Sequence, residues 1–168
     1  MTFQDGLQDL VGKPVVQSKY IYGSIFHLLF SANGGEVEFV CNGCQWVIFN
    51  DVGEVLLHDE AALSTEALSG VFTGLRLRSQ EVLPASLSLR FDGAVFHGFT
   101  TEAYHLDIHD GVILGSDEWL EQADAARDSF MLFDPSQEAL GYEFSEYFDL
   151  NSAPWRDRYL SAGERTVG

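Results

Sequence analysis

Three of the chain's Asx-Gly dipeptides limit most strongly what it can fold into. Asn42-Gly43, Asp92-Gly93 and Asp110-Gly111 each stand between runs in which apolar and polar residues alternate. Asx-Gly is a preferred two-residue hairpin loop, because both central residues of the turn take positive φ. Alternation with a period of two places one set of side chains on one face of a strand. Around Asn42-Gly43 a hairpin pairs Cys41 with Cys44, Phe39 with Trp46 and Val37 with Ile48, apolar against apolar throughout. Around Asp92-Gly93, Ser86 to Phe91 returns as Ala94 to Phe99 and pairs Leu87 with Gly98, Leu89 with Phe96 and Phe91 with Ala94. The third turn joins Tyr104–His109 to Val112–Leu114, with Leu106, Ile108 and Ile113 inward. Asn50-Asp51-Val52-Gly53 makes a longer turn into 54–58.

A faint repeat runs through these strands. Leu10-Val11-Gly12 is echoed by Leu68-Ser69-Gly70, and Phe26-x-Leu28-x-Phe30 by Leu87-x-Leu89-x-Phe91. Trp46-x-Ile48 with Gly53-Glu54-Val55-Leu56 is echoed by Tyr104-x-Leu106 with Gly111-Val112-Ile113-Leu114. The chain thus reads as two loosely similar β-meander halves, about 10–58 and 68–115, joined by a helical turn near 60–68.

Helical spacing appears at the two ends. Phe3, Leu7, Leu10 and Val11 suit a short helix that Gly12 and Pro14 terminate. Ser116 or Asp117 caps a predicted helix to about Met131, whose apolar stripe is Trp119, Ala123, Ala126 and Phe130. Asp134-Pro135-Ser136-Gln137 resembles an N-cap, a first-turn Pro and an N3 Gln, which predicts a second helix over about 135–149. The tail from about residue 162 reads as frayed. The expected fold is α+β: an antiparallel meander sheet of six to eight strands with a short N-terminal helix and C-terminal helices packed on it. No Gly/Ser- or Pro-rich linker interrupts 1–168, so one domain is expected.

Charge restricts function more than it restricts fold. Nine Lys and Arg oppose 26 Asp and Glu, a net charge of −17. Residues 1–84 hold 4 basic and 10 acidic groups, and residues 85–168 hold 5 and 16, so the halves carry −6 and −11. A 46% hydrophobic content excludes a disordered acidic tail. The acidity argues against nucleic acid and anionic membranes as partners and suits a basic protein. A salt-adapted proteome would give the same balance. Asp5 and Asp9 break any signal-like start, and the longest uncharged run is 16 residues between Lys19 and Glu36, short of a membrane span. A soluble, cytoplasmic protein is therefore expected.

Few motifs carry chemistry. Neither G-x-S-x-G nor H-E-x-x-H occurs. Gly6 and Gly12-Lys13 have the wrong spacing for a phosphate loop, and Pro14 replaces the magnesium-binding hydroxyl. Cys41-Asn42-Gly43-Cys44 reads first as two buried thiols, with a cross-turn disulfide or a metal site completed by distant histidines as alternatives. His105, Asp107 and His109 share one strand face and form a candidate metal set, or simply its solvated side. His27, His58 and His97 have no partner assignable from sequence. No pair among the 26 acids stands out as catalytic, and no cofactor is expected.

Asp117, Glu121, Asp124 and Asp128 form an acidic stripe on the predicted helix, within a stretch (116–151) of ten acids and one base, Arg127. Like charges at i,i+4 disfavour a helix by a few tenths of a kcal/mol per pair, a cost that a basic partner would offset. Tyr142, Phe144, Tyr147, Phe148, Trp155 and Tyr159 crowd the same region as interface anchors or core. The sequence thus points to a non-enzymatic acidic binding protein that neutralises a basic protein, as inhibitors and immunity proteins do. A small-ligand or metal-binding sheet domain, with or without hydrolase activity, and an oligomer-forming structural module are the alternatives.

Overall fold

A computed structural model describes residues 1–22, 24–32, 34–59, 63–102 and 128–167. The chain runs α1 (Phe3–Asp9), β1 (Val15–Tyr22), β2 (Ile25–Ala32), β3 (Gly35–Cys41), β4 (Gln45–Phe49), β5 (Val55–His58), α2 (Thr65–Phe72), β6 (Leu77–Val82), β7 (Ser86–Phe91), β8 (Ala94–Phe99), β9 (Asp128–Phe133) and β10 (Leu140–Glu143). A 3₁₀ turn at Leu150–Ser152 leads into α3 (Arg156–Val167). The architecture is α+β and antiparallel, in two five-stranded sheets: sheet I in the order β1-β2-β3-β9-β10, and sheet II in the order β5-β4-β8-β7-β6.

The sheets pack face to face. From sheet I come Phe26, Leu28, Phe30, Phe39 and Phe130; from sheet II come Trp46, Ile48, Leu89, Phe91 and Phe96. Their rings interlock across the gap: Phe26 meets Trp46 edge-on at 5.0 Å, Phe39 meets Phe96 at 6.3 Å, and Phe30 stacks on Phe91 at 6.2 Å. Edge-on and offset geometries suit the ring quadrupole and add to the gain from burial. α1 lies against β6, β9 and β10, and α2 against β1 and β5. α1 and α2 therefore each touch both sheets. α1 is held at its start by a capping box, in which Thr2 Oγ1 accepts from Asp5 N–H and the Asp5 carboxylate accepts from Thr2 N–H.

The two halves are related by an internal two-fold pattern and exchange strands. Among the described residues each half opens with one helix followed by five strands, and each sheet takes three strands from one half and two from the other. The halves meet at an isolated bridge between Pro14 and Arg76. Around it the bonds repeat. Gly12 N–H donates to Leu77 O (2.7 Å) and Gly74 N–H to Val15 O (2.8 Å). Val15 N–H donates to Leu75 O (2.9 Å) and Leu77 N–H to Lys13 O (3.2 Å). Gly12 and Gly74 have φ of 88° and 87°, a left-handed conformation that excludes most other residues.

The second hairpin has the expected register, with Leu87 opposite Gly98, Leu89 opposite Phe96 and Phe91 opposite Ala94. The echo of Phe26-x-Leu28-x-Phe30 by Leu87-x-Leu89-x-Phe91 also matches the strand register. The other echoes shift. Gly12 corresponds to Gly74 instead of Gly70, and Trp46-x-Ile48 to Phe130-x-Leu132 instead of Tyr104-x-Leu106. The cause is unequal spacing: three residues (42–44) separate β3 from β4, whereas 100–127 separate β8 from β9.

The first expected hairpin does not form. At Asn42-Gly43 the chain passes from sheet I to sheet II, so Phe39 and Trp46 enter the core from opposite sheets. The edge of β3 that a hairpin would use is taken by β9, and that of β4 by β8. Alternation serves both outcomes equally, and Gly43 (φ 93°) turns the corner in place of the hairpin loop.

The predicted C-terminal helices are corrected in the described part. Asp128–Phe133 is a strand whose Phe130 and Leu132 enter the core. The cap chemistry at Asp134 is present, since its carboxylate accepts from Ser136 N–H (2.9 Å) and Gln137 Nε2 (3.4 Å). The chain then returns as β10 against β9 instead of coiling. The strand pair satisfies backbone groups that Gly141 makes costly to hold in a helix. α3 runs to Val167. The third Asx-Gly hairpin, 104–114, lies outside the described residues.

Candidate functional site: an acidic groove on sheet I

The described residues cover the outer faces of the two sheets differently. On sheet II, Val47, Phe49 and Phe99 are buried beneath Tyr159, with Phe148, Leu150 and Trp155 packed around them. Buried polar groups fasten this cover. Asp59 accepts from Trp46 N–H (3.1 Å) and from the Tyr159 hydroxyl (3.1 and 3.2 Å). Gln45 Nε2 donates to Tyr159 Oη (3.2 Å), while Gln45 Oε1 accepts from Thr101 N–H and Oγ1. His58 stacks on Tyr159 at 4.3 Å, with Nε2 2.9 Å from the Tyr159 carbonyl and Nδ1 3.1 Å from Asp59. Both ring nitrogens thus face acceptor oxygens. Buried and hydrogen-bonded as they are, these groups act as fasteners for α3.

On sheet I a groove of about 530 Å³ opens on the outer face. Leu29, Phe133, Pro135 and Ala139 supply its apolar surface, and Glu36, Glu38 and Asp134 its charge. Among the described residues that line it, none is basic. Strand register sets this arrangement: Leu29 on β2 lies opposite Glu38 on β3, which lies opposite Phe133 on β9. Phe133 is 44% exposed, a large apolar side chain left facing solvent beside carboxylates. Hydrogen bonds from the Ser136 backbone and side chain hold the Asp134 carboxyl below its usual range, so it is firmly ionised at neutral pH. Glu38 also contacts His27 Nδ1 at 2.6 Å.

The chain matches no known protein family, no curated protein and no solved structure. Function must therefore be argued from the site alone.

The remaining candidates are less favourable. Cys41 and Cys44 are both buried thiols, with Sγ atoms 3.7 Å apart at the crossing between sheets. Burial, then the contact with Cys41 and the negative charge of Asp59, push the Cys44 thiol well above its ordinary range. A thiol so placed is a poor nucleophile and metal ligand. Among the described residues no group of three His, Cys, Asp or Glu is placed to hold a metal. His105, Asp107 and His109 lie outside the described residues, as do Asp117, Glu121 and Asp124 of the acidic stripe. Asp128 is the first residue of β9, so its backbone is extended rather than on a helix face.

Ser88 Oγ and His97 Nδ1 share a hydrogen bond of 2.9 Å beside a cavity of about 250 Å³. Burial, with Arg90 adding, lowers the His97 pKa from 6.5 to about 4. A histidine that weakly basic accepts a proton from serine poorly at neutral pH. No helix among the described residues is long and apolar enough to cross a membrane.

Glu36 and Glu38 were legible as the polar side of β3, opposite Val37, Phe39 and Cys41. Phe133 escapes the sequence reading because the spacing of Phe130 also fits a helical stripe. The available signal was the unbroken apolar run Phe130–Phe133 ending at Asp134-Pro135, the pattern of a strand buried on at least one face.

Proposed function

We propose that this protein is a non-enzymatic binding protein whose acidic groove seats a basic protein partner and neutralises it. The observation that carries this reading is the exposed Phe133 set among Glu36, Glu38 and Asp134, with no basic residue among the described ones that line the groove. Binding energy concentrates on aromatic anchors within a polar rim. A field of one sign steers an oppositely charged partner and raises its rate of encounter. The net charge of −17 extends that field well beyond the groove.

The test is affinity capture from extracts of the source cells, comparing the wild type with the double variant Glu36→Lys/Glu38→Lys. A basic protein that elutes by about 0.5 M salt, where screening shortens to a few ångströms, and that the variant fails to retain is the expected outcome. A partner held equally by the variant, or one that is not basic, would refute the assignment.

A further inference from the structure

The outer face of sheet II shows what the equivalent face of sheet I is shaped to accept. Register aligns the row Leu29–Glu38–Phe133 on sheet I with Arg90–Val95–Phe49 on sheet II. Phe49 is only 5% exposed because α3 and the residue before it cover it. Trp155 lies 5.9 Å from its ring, and the Arg158 guanidinium sits 5.2 Å above it. Arg158 Nη1 also donates to the Gly53 carbonyl at 2.7 Å. Trp155, Arg158 and Tyr159 are spaced i, i+3, i+4, so one helix face presents them together. Phe133, the counterpart of Phe49, has 44% of its surface exposed. Where sheet II has Val95, sheet I has Glu38, and Glu36 and Asp134 line the same groove.

We infer that the groove takes an arginine-bearing amphipathic helix of the basic partner. This helix sits on Phe133 as α3 sits on Phe49, with an aromatic side chain and an arginine about one turn apart. The guanidinium lies over the Phe133 ring within reach of the Glu38 carboxylate, joining a cation–π contact to a charge-assisted hydrogen bond. A second copy of this chain is the poorer occupant, because two molecules of charge −17 repel. The inference rests on the binding role proposed above and specifies the partner's chemistry.

The probe is a stapled helical peptide of residues 154–167 carrying Asp157→Lys and Glu164→Lys. It keeps Trp155, Arg158 and Tyr159 on one face. Binding to the full chain is followed by fluorescence anisotropy at low salt. Phe133→Ala and Glu36→Lys/Glu38→Lys are each expected to weaken binding about tenfold or more, and Phe133→Trp to stay within about threefold. Phe133 and Glu36 are solvent-exposed and Glu38 half-buried, so circular dichroism of the variants should match the wild type.

Three results overturn the inference: no binding at peptide concentrations near about 1 mM, equal binding to Phe133→Ala, or self-association of the chain that Phe133→Ala abolishes. If the peptide fails while cell extracts still yield a basic partner that Glu36→Lys/Glu38→Lys loses, the helix is wrong and the groove stands. If both fail, the groove itself is wrong.

Discussion

His97 couples the covered face of sheet II to pH. Its ring stacks on Trp155 at 5.2 Å and 15° and meets Phe49 edge-on at 5.9 Å. Burial there, with the nearby charge of Arg90, holds its pKa at about 4 instead of 6.5. On acidification the unfolded chain therefore takes up the proton first. The stabilising effect is complete above pH 6.5, declines as pH falls through that value, and is fully lost below about 4, where both states are charged.

One pKa unit is about 1.4 kcal/mol, so between pH 7 and pH 5 this group alone removes about 2 kcal/mol of stability. That is a large share of the roughly 5–15 kcal/mol of an ordinary domain. His97→Gln keeps a hydrogen-bonding group near Ser88 and abolishes the titration. Urea unfolding of both proteins at the two pH values should give losses that differ by about 2 kcal/mol, the other titrating groups being common to both. Equal losses would refute the argument, as would an NMR titration of His97 with a midpoint near 6.5.

The internal two-fold makes a paired expectation. Gly12→Ala and Gly74→Ala should each cost about 1–2 kcal/mol in urea unfolding, because both residues hold the left-handed conformation with nothing near the added methyl. Strongly unequal costs would argue against equivalence. Asp59→Ala removes the acceptor for Trp46 N–H and the Tyr159 hydroxyl and should cost about 3 kcal/mol, read by thermal or urea unfolding. A cost below about 1 kcal/mol would mean that water takes over the bonds. Cys41 and Cys44 should react with a thiol reagent only as fast as the protein opens, since both are fully buried; rapid labelling of the native protein would contradict that burial.

Legibility from sequence followed the range of the interactions. The α+β class, α1 and the Asp92-Gly93 hairpin depend on neighbours in sequence, and their signals lay within a few residues. The same local grammar misled at two places. Around Asn42-Gly43, alternation fits a hairpin and a crossing between facing sheets equally well. At Asp134, an Asx turn that can start a helix instead precedes β10. At Asn42-Gly43 strands distant in sequence made the choice, β9 and β8 by occupying the hairpin edges; at Asp134 the neighbouring β9, itself held extended by β3, offered its other edge to β10. The site followed the same division. Glu36 and Glu38 could be placed on the polar face of a strand from alternation alone, but Phe133 could join them only after β9 was set beside β3.

By itself, then, the sequence determined an acidic, core-forming, antiparallel chain and excluded most catalytic motifs, because charge, hydrophobic content and period are properties of residues and their neighbours. Only the tertiary structure decided that the two halves exchange strands, that α3 covers one outer sheet face, and that the other keeps an aromatic ring among carboxylates. Those outcomes depend on which distant edges pair. An alternating pattern specifies which face of a strand is apolar but not which partner strand will lie beside it.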